Sequence, residues 1–112
     1  MSATIRRFLD SCGFDWASGT IIVQMVREEH SSPGWASEED IIDSHYINPQ
    51  SQILDIEFDN GLGGPECPRY IAEDKDKIYF PSQYDGATGP EFVYKDIKKY
   101  SDKNNLTPYP GG

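Results

Sequence analysis

RYIAEDKDKIYFP, residues 69–81, is the stretch on which the fold turns. RYIAED and KIYFP are short runs of β-branched and aromatic residues, and Asp74-Lys75-Asp76 between them has the polar composition of a tight turn, so the stretch predicts an antiparallel hairpin. On its N-terminal side QILDIEF, residues 52–58, alternates: Leu54, Ile56 and Phe58 fall on one face, and Ile53, Asp55 and Glu57 on the other. That period of two predicts a strand with one wetted side. On the C-terminal side SQYDGATGP reads as a loop. EFVYKDIKKY carries two patterns, because Phe92 and Tyr94 alternate as a strand whereas Val93, Ile97 and Tyr100 match a helix. The reading adopted is a strand from 91 to 95 running into a helical turn.

Further out, TIIVQMVR, residues 20–27, is apolar and β-branched apart from Gln24 and its final arginine. Such a run predicts a central strand covered on both faces or nearly so. Ile5, Phe8, Leu9 and Cys12 recur at helical spacing, with Ser2 or Thr4 available as N-cap and Gly13 as a left-handed terminator, which predicts a first helix over 4–12. In that helix Cys12 is a small buried apolar group. Ser37 followed by Glu38, Glu39 and Asp40 has the form of a cap and an acidic first turn, so a second helix is expected there. Its inward stripe would be Ile41, Ile42, His45 and Tyr46, and Asn48-Pro49 would stop it. The sum is a single compact α+β domain, residues 1–100, with an antiparallel sheet of four or five strands and two short helices. Residues 101–112, SDKNNLTPYPGG, have too little apolar surface to offset their ordering entropy and are expected to form a flexible C-terminal tail.

A chain of 112 residues fits one domain and can bury well over half of its unfolded surface without staples. Its N-terminal stretch lacks the apolar run of a signal peptide, and no window approaches the roughly 20 apolar residues of a membrane span. A cytoplasmic protein is therefore expected, with Cys12 and Cys67 as reduced thiols. The net charge is −9. Residues 28–94 set fifteen acids against Arg69, Lys75 and Lys77, a surplus of −12, while both ends of the chain are mildly basic. Direct nucleic-acid binding through that block is opposed by electrostatics.

EFDNGLGGPECPRY, residues 57–70, is the stretch with the most chemical promise. Counted from Asp55, the acids Asp55, Glu57, Asp59 and Glu66 fall at positions 1, 3, 5 and 12 of a calcium loop, but position 6 is Asn60 where glycine is required, and the flanks alternate where helices are required. A looser cation site at Asp59, Asn60 and Glu66 stays open. GLGG leads into Pro65, Glu66 and Cys67 instead of a helix start with a lysine, which does not suit phosphate. Cys67 would need an imidazole from His30 or His45, and the two cysteines and two histidines show none of the short spacings of a zinc site. Asn60-Gly61 and Gly63-Gly64-Pro65 are turn sequences, and a turn is the simplest reading. No cofactor and no metal are expected.

Aromatic residues within or beside the acidic block, Trp35 and Tyr84 foremost, combine with its carboxylates as protein-binding surfaces do. Glu38, Glu39, Asp40, Asp55, Glu57 and Asp59 are the partner-binding candidates. In size, charge and lack of catalytic motifs the chain resembles phage-encoded anti-defence inhibitors, anti-CRISPR proteins among them, and toxin-neutralising immunity proteins. The resemblance lies in composition and maps no motif residues. It implies a small acidic inhibitor whose carboxylates occupy a basic, nucleic-acid-binding surface of a protein partner. An alternative is a small enzyme with an acidic loop site at Asp59, Glu66 and Cys67.

Overall fold

Along the chain run β1 (Ser2–Ala3), α1 (Ile5–Ser11), β2 (Thr20–Val26), β3 (Ile41–Tyr46), a 3-10 turn (Gln52–Asp55), β4 (Phe58–Asp59), β5 (Tyr70–Glu73), β6 (Lys77–Tyr84), β7 (Ala87–Tyr94) and a second 3-10 turn (Ile97–Ser101). The computed structural model describes residues 2–26, 41–61, 66–84 and 87–105. Among these residues five strands form one antiparallel sheet in the order β3-β2-β5-β6-β7, and β1 pairs with β4 as a two-stranded sheet. This is the α+β class expected.

The hairpin at 69–81 forms as its sequence predicts, and Asp74 is the reason its turn is so short. Its Oδ1 accepts from the amides of Asp76 and Lys77, both at 3.0 Å, while its own amide donates to the Lys77 carbonyl at 3.1 Å. An aspartate that bonds its own backbone two and three residues on reproduces a turn in its side chain. α1 starts where Thr4 Oγ1 accepts from the Arg7 amide at 3.1 Å and ends at Gly13, whose φ of +76° is the left-handed conformation that glycine adopts without a steric penalty. Its apolar stripe, Ile5, Phe8 and Leu9, is buried.

The core lies between α1 with the first 3-10 turn and one face of the large sheet. Ile21, Val23, Tyr70, Ala72 and Tyr79 come from the sheet, and Leu54 and Phe58 close it from the other side. Rings continue the packing edge to face: Phe8 meets Phe58 at 5.4 Å, and Phe14 meets Tyr79 at 5.2 Å. β2 buries Ile21 and Val23 on one face, while Ile22 and Gln24 on the other are half-buried. Cys12, expected in the core, is half-buried at the helix end.

Three segments differ from expectation. Ile41–Tyr46, read as a helix stripe, is β3, paired antiparallel with β2 through Ile22↔Tyr46, Val23↔His45 and Gln24↔Ser44. The proposed first turn of that helix, 37–40, lies outside the described residues. Residues 52–58, read as one strand, are the first 3-10 turn followed by a short strand, with Ser51 Oγ capping the Ile53 amide at 3.2 Å. Leu54 and Phe58 are buried as the alternation required, but Ile56 is 58% exposed. SQYDGATGP, read as a loop, mostly extends the β6 and β7 hairpin, with Pro81 opposite Pro90. The Lys95 amide donates to the Asp76 carbonyl, so in this register the odd residues of β7 bond β6 and the even ones point away. Pro90 thus sits where the ladder needs no donor, while Pro81, whose nitrogen faces β5, lies beyond the Ala72↔Tyr79 pair at which the β5–β6 pairing ends. The remaining outward amides of β7 all find acceptors: Thr88 N on the Asn60 carbonyl at 3.0 Å, Phe92 N on Glu91 Oε1 at 3.1 Å, and Tyr94 N on Tyr100 Oη at 2.7 Å.

Candidate functional site

Of the acids singled out from the sequence, Asp55, Glu57, Asp59 and Glu66 lie among the described residues, and no three of them are placed to hold a metal ion together. Asp55 ends the first 3-10 turn and is gripped by Arg6, whose Nε donates to Oδ1 at 2.7 Å and whose Nη2 donates to Oδ2 at 3.2 Å. The same guanidinium donates to the Pro49 carbonyl at 3.0 Å and lies over the Trp16 ring at 5.0 Å. These bonds hold the Asp55 carboxyl below the usual carboxylate range, the Arg6 hydrogen bond first among the causes. Glu57 lies 3.8 Å from Arg7 in an exposed pair. Thr4, Arg6, Arg7, Asp10, Asp55 and Glu57 line a shallow depression of about 520 Å³ beside α1. Two of its three acids are thus already matched by arginines.

Of residues 57–70, 57–61 and 66–70 are described, and within them a side-chain turn forms at Asp59. Asp59 Oδ1 accepts from the Gly61 amide at 2.9 Å, which lowers the pKa of its carboxyl, and the Asn60 carbonyl accepts from Thr88. The acids at the first and third carboxylate positions of the calcium pattern, Asp55 and Asp59, therefore serve an arginine and a turn. Among the described residues no group of three or more His, Cys, Asp or Glu side chains is placed to hold a metal ion. Glu66 is exposed, and its neighbour Cys67 is only 2% exposed, with burial pushing the thiol up to about 12. Its Sγ lies 3.3 Å from the Pro68 carbonyl as a donor. A thiolate is disfavoured in such surroundings, which suit a packed apolar group. His45 is exposed on β3, and His30 lies outside the described residues. Trp35, Glu38, Glu39 and Asp40 lie outside them too; Tyr84 is the last residue of β6.

Alternation along the strands defines a second surface, which sequence reasoning did not find. Ile21, Val23, Ala72 and Tyr79 enter the core, so Ile22, Ile71, Ile78 and Val93 fall on the opposite, outer face of the large sheet. Tyr46, Ile22 and Ile71 stand side by side across β3, β2 and β5. Tyr46 is 78% exposed, Ile71 49% and Val93 41%. The alternation within RYIAED carries this signal for Ile71. For Tyr46 it was lost once its segment was read as helix.

Compared with known proteins, the chain matches no family model, no curated protein and no solved structure. Among the described residues no helix is long and apolar enough to cross a membrane.

Proposed function

We propose that this chain is a small acidic protein-binding protein of the inhibitor type, which uses carboxylates to cover a basic, nucleic-acid-binding surface of another protein. Phage anti-defence inhibitors, anti-CRISPR proteins among them, and toxin-neutralising immunity proteins are the kinds of protein it resembles in composition. The observation that carries the reading is where the charge sits: of the acids whose side chains are described, Asp74 alone is buried, and the others stand at the surface. A net charge of −9 steers the chain toward cationic surfaces and away from nucleic acid itself.

The test is binding to host proteins captured on the immobilised chain, across a salt series and against competing duplex DNA. Asp55 is left unaltered, since Arg6 needs it, and Glu38, Glu39, Asp40 and Glu57 are neutralised together to Gln or Asn. At about 0.2–1 kcal/mol for each exposed pair, the loss amounts to about 1–4 kcal/mol with a flatter salt dependence. Captured protein should also be displaced by DNA. Equal affinity and an equal salt slope for parent and fourfold variant would leave the charge as solvation only and end this reading.

A further inference from the structure

We propose that the outer face of the five-stranded sheet is a contact surface for a second copy of this chain, the two sheets stacking face to face about a two-fold axis that crosses the strands at Ile71. The face has an apolar middle and opposite charges at its two ends. Ile71 stands at the centre, with Ile22 and Tyr46 beside it in register. Two shallow depressions adjoin there, sharing Ile22 and Ile71: one of about 360 Å³ reaches Glu73, and the other, of about 410 Å³, reaches Arg69. Arg69 and Glu73 lie two residues to either side of Ile71 along one strand line, which the Arg69 carbonyl extends by accepting from the Gln24 amide at 2.9 Å.

This arrangement is self-complementary. An axis lying between the sheets and perpendicular to β5 reverses the strand direction, so Ile71 meets its own copy. Arg69 then meets the second copy's Glu73, and Glu73 its Arg69. Packed sheets cross at about 30°, and residues about 6.8 Å from the axis are displaced by only about 3.5 Å at that angle, within the reach of arginine and glutamate. Isologous contacts of this kind are the commonest way soluble chains pair.

Glu73 lies 3.1 Å from Lys95 of its own chain, so the second copy's Arg69 would share that carboxylate with Lys95, and Glu91 stands on the same face. Asp55 and Glu57 adjoin α1 and Asp59 pairs with Ser2, on the far side of the sheet, so stacking leaves these three carboxylates outside the contact. Five strands about 4.8 Å apart and about 17 Å long give a face of about 400 Å². Two such corrugated faces bury on the order of 1,000 Å², at the small end of specific interfaces. The dimer is therefore reversible, and added salt favours it by screening the repulsion between two chains of −9.

Sedimentation equilibrium from about 1 µM to about 1 mM brackets the affinity of an interface this small. The parent should pass from monomer to dimer. Arg69→Glu and Glu73→Arg should each weaken dimerisation at least tenfold, because each sets like charges against one another twice. An equimolar mixture of these two variants should dimerise again, since both contacts then join opposite charges. Tyr46→Lys, at a side chain already mostly in solvent, should prevent pairing while leaving the melting temperature within a few degrees of the parent. A parent that stays monomeric overturns the proposal, as does a dimer indifferent to Tyr46→Lys. Failure of the mixed variants to pair better than either alone overturns the two-fold geometry.

Discussion

Replacing Asp74 by alanine should be among the costliest single changes in this protein. Its carboxylate joins three pieces of chain: Oδ1 holds the turn amides of Asp76 and Lys77, and Oδ2 accepts from the Asp15 amide at 3.0 Å and from the hydroxyl of Tyr79. Tyr79 is 1% exposed. Hydrogen bonds to a charged group contribute about 1.5–3 kcal/mol, and a buried donor left without an acceptor costs about 1–3 kcal/mol. The turn amides lie beside exposed Lys75 and Asp76 and can turn to water, so the unavoidable loss falls on Tyr79 and Asp15. We expect about 3–5 kcal/mol for Asp74→Ala, a large share of the roughly 5–15 kcal/mol typical of a domain. Tyr79→Phe should cost about 1–2 kcal/mol, because Asp74 keeps its three amides. The two changes together should show a coupling of about 1–3 kcal/mol.

The same group has a pH signature. Burial pushes the Asp74 carboxyl up, but the Tyr79 hydroxyl and the amides of Asp15, Asp76 and Lys77 together outweigh it, and the pKa ends below its ordinary value. A carboxyl depressed in the folded state stabilises the fold above its unfolded pKa of about 3.9, and that contribution fades as pH falls through the folded value. Urea unfolding of parent, both single variants and the double variant at pH 7 and in steps down to about pH 3 measures all of this. A cost for Asp74→Ala below about 1 kcal/mol, additive with Tyr79→Phe and unchanged by acid, would show that the network does not hold the hairpin to the helix end.

At Gly19 an added Cβ would run into the Phe14 ring and come 2.6 Å from the Asp15 carbonyl, so Gly19→Ala should destabilise by about 1–3 kcal/mol in thermal or urea melts, although its backbone needs no positive φ. The two thiols should separate kinetically: a thiol reagent should modify half-buried Cys12 in the native protein and Cys67 only on unfolding, with Cys67 reaction rates following the unfolding equilibrium as denaturant is added.

Legibility followed how local each determinant was. The 74–76 hairpin, the capped helix from Thr4 to Gly13 and the strand that turns helical after Tyr94 are written in neighbouring residues, and the sequence predicts them. β3 reads as helix because Ile41, Ile42, His45 and Tyr46 recur at helical spacing, while its real partner, β2, is remote in sequence and invisible to periodicity. Residues 52–55 alternate well enough for a strand, yet Ser51 caps a 3-10 turn that alternation alone does not distinguish. Pro81 and the Pro90 of SQYDGATGP look like breakers, and only the register sets them opposite each other where neither is asked for a donor between β6 and β7. For the candidate surfaces the acids were legible as composition, but not that Arg6 would claim Asp55. The outer sheet face emerges only once β3 stands beside β2.

The way β7 ends the sheet limits how this protein can multiply. An incoming strand needs donors along the edge it joins, and here one position is proline while the other outward amides, of Thr88, Phe92 and Tyr94, are held within the same chain. Adding a strand would mean breaking several of those bonds before making any. Growth in the plane of the sheet, the route to ribbons and fibrils, is thereby stopped on that side even in concentrated solution. Stacking of faces remains open, and because an isologous pair consumes the face of both members, it halts at two.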